Sequence, residues 1–445
     1  MTFASRIIVF LICFSLIVAT LLYGTVHQPT ISFFYIQVGL MLVLWAYDAF
    51  RVGELRLSRH SLQAPLYATA IYGFIQIIPF GTAGEMAGLS GIPRTISAAP
   101  FETQLASMHF LALGLFFSIT LAHINTAARI ERIVNVVAIF GFAYAFFAIL
   151  QSFLSPGKVY GIYERFGAAP FGSFVSRHNF AAFINMVIAL PLGLLFAGSV
   201  KRDKKLLYIT AVALMGVSLV LSGSRGGLVA FLAEILLLVF LTTRTKGPRS
   251  IAIRSALAIA LLAAIVGGTF FVGGDSTLTR VAETDVSKDF TADRIQIWRI
   301  TLNVIANNLP FGSGLGAFGQ AYTRFDDFTG LSRVEQAHND YLQVLADMGL
   351  VGLVIGGLFL YLLYLSGRRG LEVKNSFRHA VAIGTIAGIF AVLVHSLFDF
   401  VLHTTAVAML FLLLIALLAA CAREYSDDKS DDMPDKRRRP AGKVM

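Results

Sequence analysis

Residues 206–242 read LLYITAVALMGVSLVLSGSRGGLVAFLAEILLLVFLT, and this stretch decides the fold class. Two apolar runs, 206–222 and 228–242, flank Ser222-Gly223-Ser224-Arg225-Gly226-Gly227, and a single acid, Glu234, interrupts them. A helix needs roughly 17–25 apolar residues to cross a bilayer. The two runs are at or just under that length, and the glycine-rich turn implies two helices broken between them. A water-soluble core has no use for such runs in series, so their surface must face lipid.

Similar runs lie at 7–26, 31–49, 62–80, 105–123, 133–154, 178–199, 255–273, 349–366, 380–399 and 402–421. The expectation is an all-α membrane protein of about twelve transmembrane helices. Composition agrees, because only 14% of the 445 residues are charged and 56% are hydrophobic, against roughly 25% charged in a soluble domain. Arg6 followed by an apolar run resembles a signal peptide, but no small-residue cleavage site follows, so the run reads as an uncleaved first span. Cys13 and Cys421 fall inside apolar runs near opposite ends of the chain, which argues against a disulfide or a metal motif.

A net charge of +10 would suggest nucleic acid in a soluble protein. Here it has a topological cause. With the N-terminus inside, 25 of the 36 Lys and Arg residues fall on one side, including Arg51, Arg56, Lys201, Arg368, Arg369 and the run at 437–439. Cytoplasmic loops collect such residues. Both termini are then cytoplasmic, with a disordered polar tail at 423–445.

Three outer loops are long, at 81–104, 155–177 and about 274–348, the last joining spans nine and ten. Within it, residues 292–308 show apolar positions at helical spacing. Pro310 and Gly312-Ser313-Gly314-Leu315-Gly316 end that helix. A second helical pattern starts near His338 and runs into the next span. The expectation is an outer lid of amphipathic helices.

Basic residues on the outer side lack the topological explanation. Arg225 sits in a glycine-rich turn at a helix start, where free amides favour anions and a guanidinium can fork onto phosphate; otherwise it is an Arg at the headgroups. Arg294 and Trp298 are four apart on the lid helix and share a face, with Arg299 beside them; otherwise they are surface charge and an interfacial anchor. His338 opens Ala337-His338-Asn339-Asp340-Tyr341-Leu342-Gln343. It has the chemistry of a general base, or it is an exposed residue before a cap formed by Asn339 or Asp340. Arg165 and Arg177 flank residues 167–172, as helpers or as snorkelling side chains. His395 and Asp399 near the end of the eleventh span support a site or cap that helix. Glu234 is functional by its depth or simply hydrogen-bonded in the bundle. The chain has no P-loop, no dinucleotide fingerprint and no His-Glu-x-x-His.

The ordered set Arg177-His178-Asn179, Gly223-Ser224-Arg225-Gly226-Gly227, Arg294…Trp298, Pro310-Phe311-Gly312-Ser313-Gly314-Leu315-Gly316, His338-Asn339-Asp340-Tyr341-Leu342-Gln343 and Gly349-Leu350-Val351-Gly352 resembles the O-antigen ligase/O-antigen polymerase superfamily of bacterial membrane glycosyltransferases. It spans about 175–355. The resemblance implies an inverting transfer of a glycan from an undecaprenyl-diphosphate donor to a hydroxyl acceptor, at the periplasmic face of the inner membrane, without metal, cofactor or nucleotide sugar. It implies catalytic roles for Arg225 and Arg294 on the diphosphate and for His338 as base. Arg165, Arg177, Trp298, Arg299 and Asn339 are weaker substrate-binding candidates. The domain reading is spans one to five in 1–174, a catalytic region at 175–366 holding the loop 274–348, two further spans in 367–422, and the tail.

The expected acceptor is lipid A–core, which makes the chain a ligase. The alternative acceptor is a second lipid-linked glycan, which makes it an O-antigen or exopolysaccharide polymerase. A lipid-glycan transporter or flippase competes, but no repeat of the first six spans is found in the last six, as carriers often show. A non-catalytic scaffold would leave the outer Arg and His residues dispensable.

Overall fold

The computed structural model describes residues 2–55, 57–82, 90–164, 169–243, 248–282, 292–327 and 333–423, the side chains of 248–249, 271–282 and 292–293 excepted. The described residues are helical, with only isolated bridges outside the helices. In chain order these are α1 (Phe3–Leu21), α2 (Gln28–Val52), α3 (Gln63–Gln76), α4 (Pro100–His123), α5 (Ala127–Leu154), α6 (Arg177–Ala197) and α7 (Lys205–Leu221). They continue with α8 (Arg225–Thr243), α9 (Pro248–Ala282), α10 (Ala292–Asn308), α11 (Phe318–Tyr322), α12 (Asp340–Leu371), α13 (Ser376–His395) and α14 (Thr405–Cys421).

Each of the twelve expected spans coincides with a helix, α1–α9 or α12–α14. Among the described residues, ten helices are long and apolar enough to cross a membrane, and α14 is apolar but shorter, at 17 residues. The chain is therefore a multi-pass membrane protein. The expected span at 62–80 shortens to the 14 residues of α3 for a visible reason. Gln76 turns toward the lid, where its Nε2 donates to the carbonyls of Phe311 (3.0 Å) and Asp347 (2.9 Å) and its Oε1 accepts from the Leu315 amide (2.9 Å). In contrast, α9 continues to Ala282, past the expected end at 273, with no proline to stop it.

All of α14 and nearly all of α6 are buried, so these two apolar helices form the centre. Outer helices leave Leu40, Val43, Leu236, Ile259 and Val354 exposed, as lipid-facing surfaces do. The closest crossing is between α6 and α13. A Cβ at Gly193 would lie 2.5 Å from the Gly384 Cα, and one at Gly384 would lie 2.7 Å from the Ala189 carbonyl. Small residues four apart on both helices, Ala189/Gly193 and Gly384/Gly388, let the backbones meet. This crossing fixes the start of α6 beside the end of α13.

The lid has its own small core, in which Ile300 and Val304 of α10 meet Phe318, Tyr322, Ala337 and Ala346. The helical pattern expected from near His338 into the next span is present as α12, but Gly349 (φ 59°, ψ −142°) breaks it into a lid part and a spanning part. A side chain there would need a left-handed backbone and would overlap the Pro310 carbonyl oxygen.

Gly384→Leu is expected to lower stability by about 1–3 kcal/mol through overpacking. A fall in the thermal midpoint of the detergent-solubilised protein checks this, and an unchanged midpoint contradicts the crossing.

Candidate functional site

Asp399 lies in the turn between α13 and α14, only 2% exposed. Three separate stretches of chain converge on its carboxylate, and a fourth joins through one of them. From the lid, Arg294 Nη2 donates to Oδ2 at 3.1 Å. From the start of α12, His338 Nδ1 stands 3.3 Å from Oδ1. From the start of α6, His178 Nδ1 lies 3.6 Å from Oδ2 and 2.9 Å from the Ser224 hydroxyl. Ser224 in turn precedes Arg225, the first residue of α8, and caps that helix by accepting from the Gly227 amide (3.2 Å).

Arg177 joins the group. It interacts electrostatically with both Arg225 and Asp399. The expected trio of Arg225, Arg294 and His338 is therefore gathered at one place, together with Arg177. The N-terminal ends of α6, α8 and α12 meet there too, and helix N-termini carry partial positive charge. Arg294 and Arg177 act on the buried carboxylate, Arg225 lies beside Arg177, and three helix starts meet there, so the cations outnumber the one acid they surround.

The electrostatics of Asp399 follow from these neighbours. Burial pushes its carboxyl upward, but the contact with His338, the neighbouring His178 and the Arg294 guanidinium prevail, holding it well below the usual carboxylate range. Burial draws the Arg294 guanidinium down, and Asp399 opposes that shift.

His338 occupies a left-handed backbone conformation, φ 50°, unusual for a residue with a side chain. Its neighbours hold it there. Trp298 Nε1 donates to the Ala337 carbonyl at 3.0 Å, and the Ala337 amide donates to Gln343 Oε1 at 2.7 Å. Phe400 packs edge-on against the imidazole, with ring centroids 4.8 Å apart. With Nδ1 turned to Asp399, Nε2 is the nitrogen directed elsewhere.

The weaker candidates separate. Trp298 positions the residue before His338. Asn339 caps α12, its Oδ1 accepting from the Tyr341 and Leu342 amides (both 3.0 Å) while its Nδ2 donates to the Leu397 carbonyl (3.0 Å). The capping alternative therefore describes Asn339. Arg299 is exposed and, five residues on, lies about 140° around the helix from Arg294. Arg165 lies outside the described residues. Glu234 is fully buried in α8, and neither carboxylate oxygen has a hydrogen-bond partner among the described residues. His395 is fully buried, packs beside Gly226 and interacts electrostatically with Asp399, His178 and Arg294.

Sequence reasoning missed a second pair. His403 Nδ1 lies 3.0 Å from Asp340 Oδ1, and Asp340 Oδ2 accepts from the Ser396 hydroxyl at 2.7 Å. Phe400 separates the His403 ring from the His338 ring. The signal available was a polar residue pair at the start of the last apolar run.

Residues 210–357 match the family model described as O-antigen ligase. The resemblance drawn from the motifs is borne out over that segment. The family is one of membrane glycosyltransferase-like enzymes, ligase or polymerase in type. The match covers a third of the chain and takes in Arg225, Arg294, Trp298 and His338, while Arg177, His178, His395 and Asp399 lie outside it. No curated protein matches the chain.

Asn339→Ala is expected to cost about 1 kcal/mol through loss of the cap, read as a lower thermal midpoint, and to weaken activity by displacing His338. Full activity would show that the cap does not place His338. A carboxyl lowered by folding stabilises the folded state above its ordinary value, about 4, and loses that contribution only as pH falls through the lower folded value. The Asp399–Arg294 tie is thus expected to survive acidification through pH 4, measured as unchanged protection of the lid from proteolysis, whereas release of the lid near pH 5 contradicts it.

Proposed function

We propose that the Asp399 cluster transfers a glycan from an undecaprenyl-diphosphate donor to a hydroxyl acceptor at the periplasmic face, and that the acceptor is lipid A–core. The observation that carries this reading is the gathering of Arg225, Arg294 and Arg177 with an Asp-bound histidine, His338, at one place. The match to the O-antigen ligase model supports it for the residues it spans.

The chemistry is an inverting displacement. The acceptor oxygen attacks the anomeric carbon while the bond from that carbon to the diphosphate oxygen breaks. The hydroxyl proton passes to His338 Nε2, and the diphosphate leaves with the bonding pair. Asp399 keeps the Nδ1 proton of His338 in place, so Nε2 presents its lone pair. The charge developing on the diphosphate falls on Arg225 and Arg294, and fixed donors in a partly dehydrated site stabilise such charge strongly. Arg177 and the starts of α6 and α8 add to the same field.

In this reading the catalytic unit is wider than 175–366, because Asp399 and His403 belong to the segment after it. Basic loops at the other end of the helices support a cytoplasmic position for that end and a periplasmic one for the lid.

Ala replacements at Arg225, Arg294 and His338, each with membrane protein levels measured, are expected to lower transfer at least about 100-fold. Lipid-linked glycan should accumulate and mature polymer disappear. Arg294→Lys should restore little, since an ammonium lacks the planar fork. Normal polymer at normal protein levels in all three variants contradicts the proposal. In a deletion strain, long chains left on the lipid carrier mark a ligase, and single repeats on core mark a polymerase.

A further inference from the structure

The end of the bundle away from Asp399 holds a second site-like feature. α12 starts at Asp340, beside His403, and reaches Arg369 near its far end, while α14 starts at Thr405 and closes at Cys421, just before Arg423. At that far end lies a cavity of about 450 Å³ whose wall includes Ser58, Arg59, His60, Arg369 and Arg423. No Asp or Glu is among its described lining residues. Asp48 and Glu54 line a smaller adjoining recess instead.

The three arginines come from three places, the α2–α3 loop, the end of α12 and the residue after α14. Arg423 is held in position, its Nη2 donating to the Ser58 hydroxyl (2.9 Å) and its Nη1 to the Leu121 carbonyl (3.2 Å). A guanidinium has five N–H donors, so Arg423 retains capacity for a further acceptor. Burial, with the charges of Arg423 and Arg369, pushes the His60 imidazole down to about 4. The cavity is open to its surroundings and has room for about 15 waters at ~30 Å³ each, enough for a phosphate group.

We propose that this cavity binds a phosphate group, held by Arg59, Arg369 and Arg423. Arg forks onto phosphate oxygens in pairs of parallel hydrogen bonds, and Ser58 adds a hydroxyl donor. The cavity lies where membrane-spanning helices end, at the level of lipid headgroups, and basic pockets between such helices take anionic headgroups. An anionic lipid and free inorganic phosphate present the same chemistry there. The site does not depend on the glycan-transfer reading.

The test is the thermal midpoint of the full chain in detergent, with added phosphatidylglycerol, cardiolipin, phosphatidylcholine or inorganic phosphate. The comparison protein carries Arg59→Gln and Arg369→Gln, two exposed positions, and should share the unliganded midpoint of the wild type. Anionic lipid or phosphate is expected to raise the wild-type midpoint by about 5 °C, phosphatidylcholine to leave it, and the double variant to lose the shift. A shift with the anionic lipids alone assigns a headgroup, and a shift with millimolar inorganic phosphate assigns a soluble ligand. No shift, or one retained by the double variant, overturns the proposal. So does a shift that appears only after residues 424–445, with Asp427, Asp428, Asp431, Asp432 and Asp435, are removed, because carboxylates of the chain's own C-terminal segment would then be the occupant.

Discussion

The buried carboxylate of Asp399 is the interaction on which the rest of the site depends. An ionised carboxylate shielded from water must be balanced, and deleting one partner of such a pair costs about 3–5 kcal/mol. Here the balance comes from Arg294 in the lid and from His338 and His178 at two helix starts. One side chain therefore ties the lid to the bundle, orients the candidate base and sits among the cations that face the proposed diphosphate. None of these partners is near it in sequence, so the site exists only in the folded state.

Two packing devices bring the partners within reach. The glycine crossing of α6 and α13 puts the start of one helix beside the end of the other, which sets Arg177 and His178 next to His395 and the Asp399 turn. The lid is docked independently, through Gln76 and the Tyr72 hydroxyl, which donates to the Phe311 carbonyl at 2.8 Å. The break at Gly349 then redirects α12 from the lid into the bundle, leaving His338 at the seam between them. The left-handed conformation of His338 is retained because Trp298, Gln343 and Asn339 all fix the backbone around it.

Much of this was legible in the residues. Apolar length put a helix at each expected span, with ends missed by as many as nine residues in α9 and α12, and the lid helix at 292–308 was found at those bounds because its periodicity and its stop signals agree. Arg225, Arg294 and His338 stood out because outer basic residues have no topological excuse. Asp399 was noticed only as a helix-end acid, since nothing local marks a residue whose partners are about 60 to 220 positions away. The shortening of α3 was hidden for the same reason, because Gln76 answers carbonyls more than two hundred residues later. Asn339 carried two readings that spacing alone does not separate, and the geometry settles it as a cap. The His403–Asp340 pair was hidden because its members are 63 positions apart and only His403 sits at the start of the last apolar run.

The most direct test of the central claim is an experimental structure of the protein in lipid nanodiscs with undecaprenyl diphosphate bound. The account places the diphosphate between Arg225 and Arg294, with His338 Nε2 facing the position of the departing sugar and Asp399 still bound to Nδ1. A diphosphate seated away from these arginines, or at the opposite end of the helices, would contradict it.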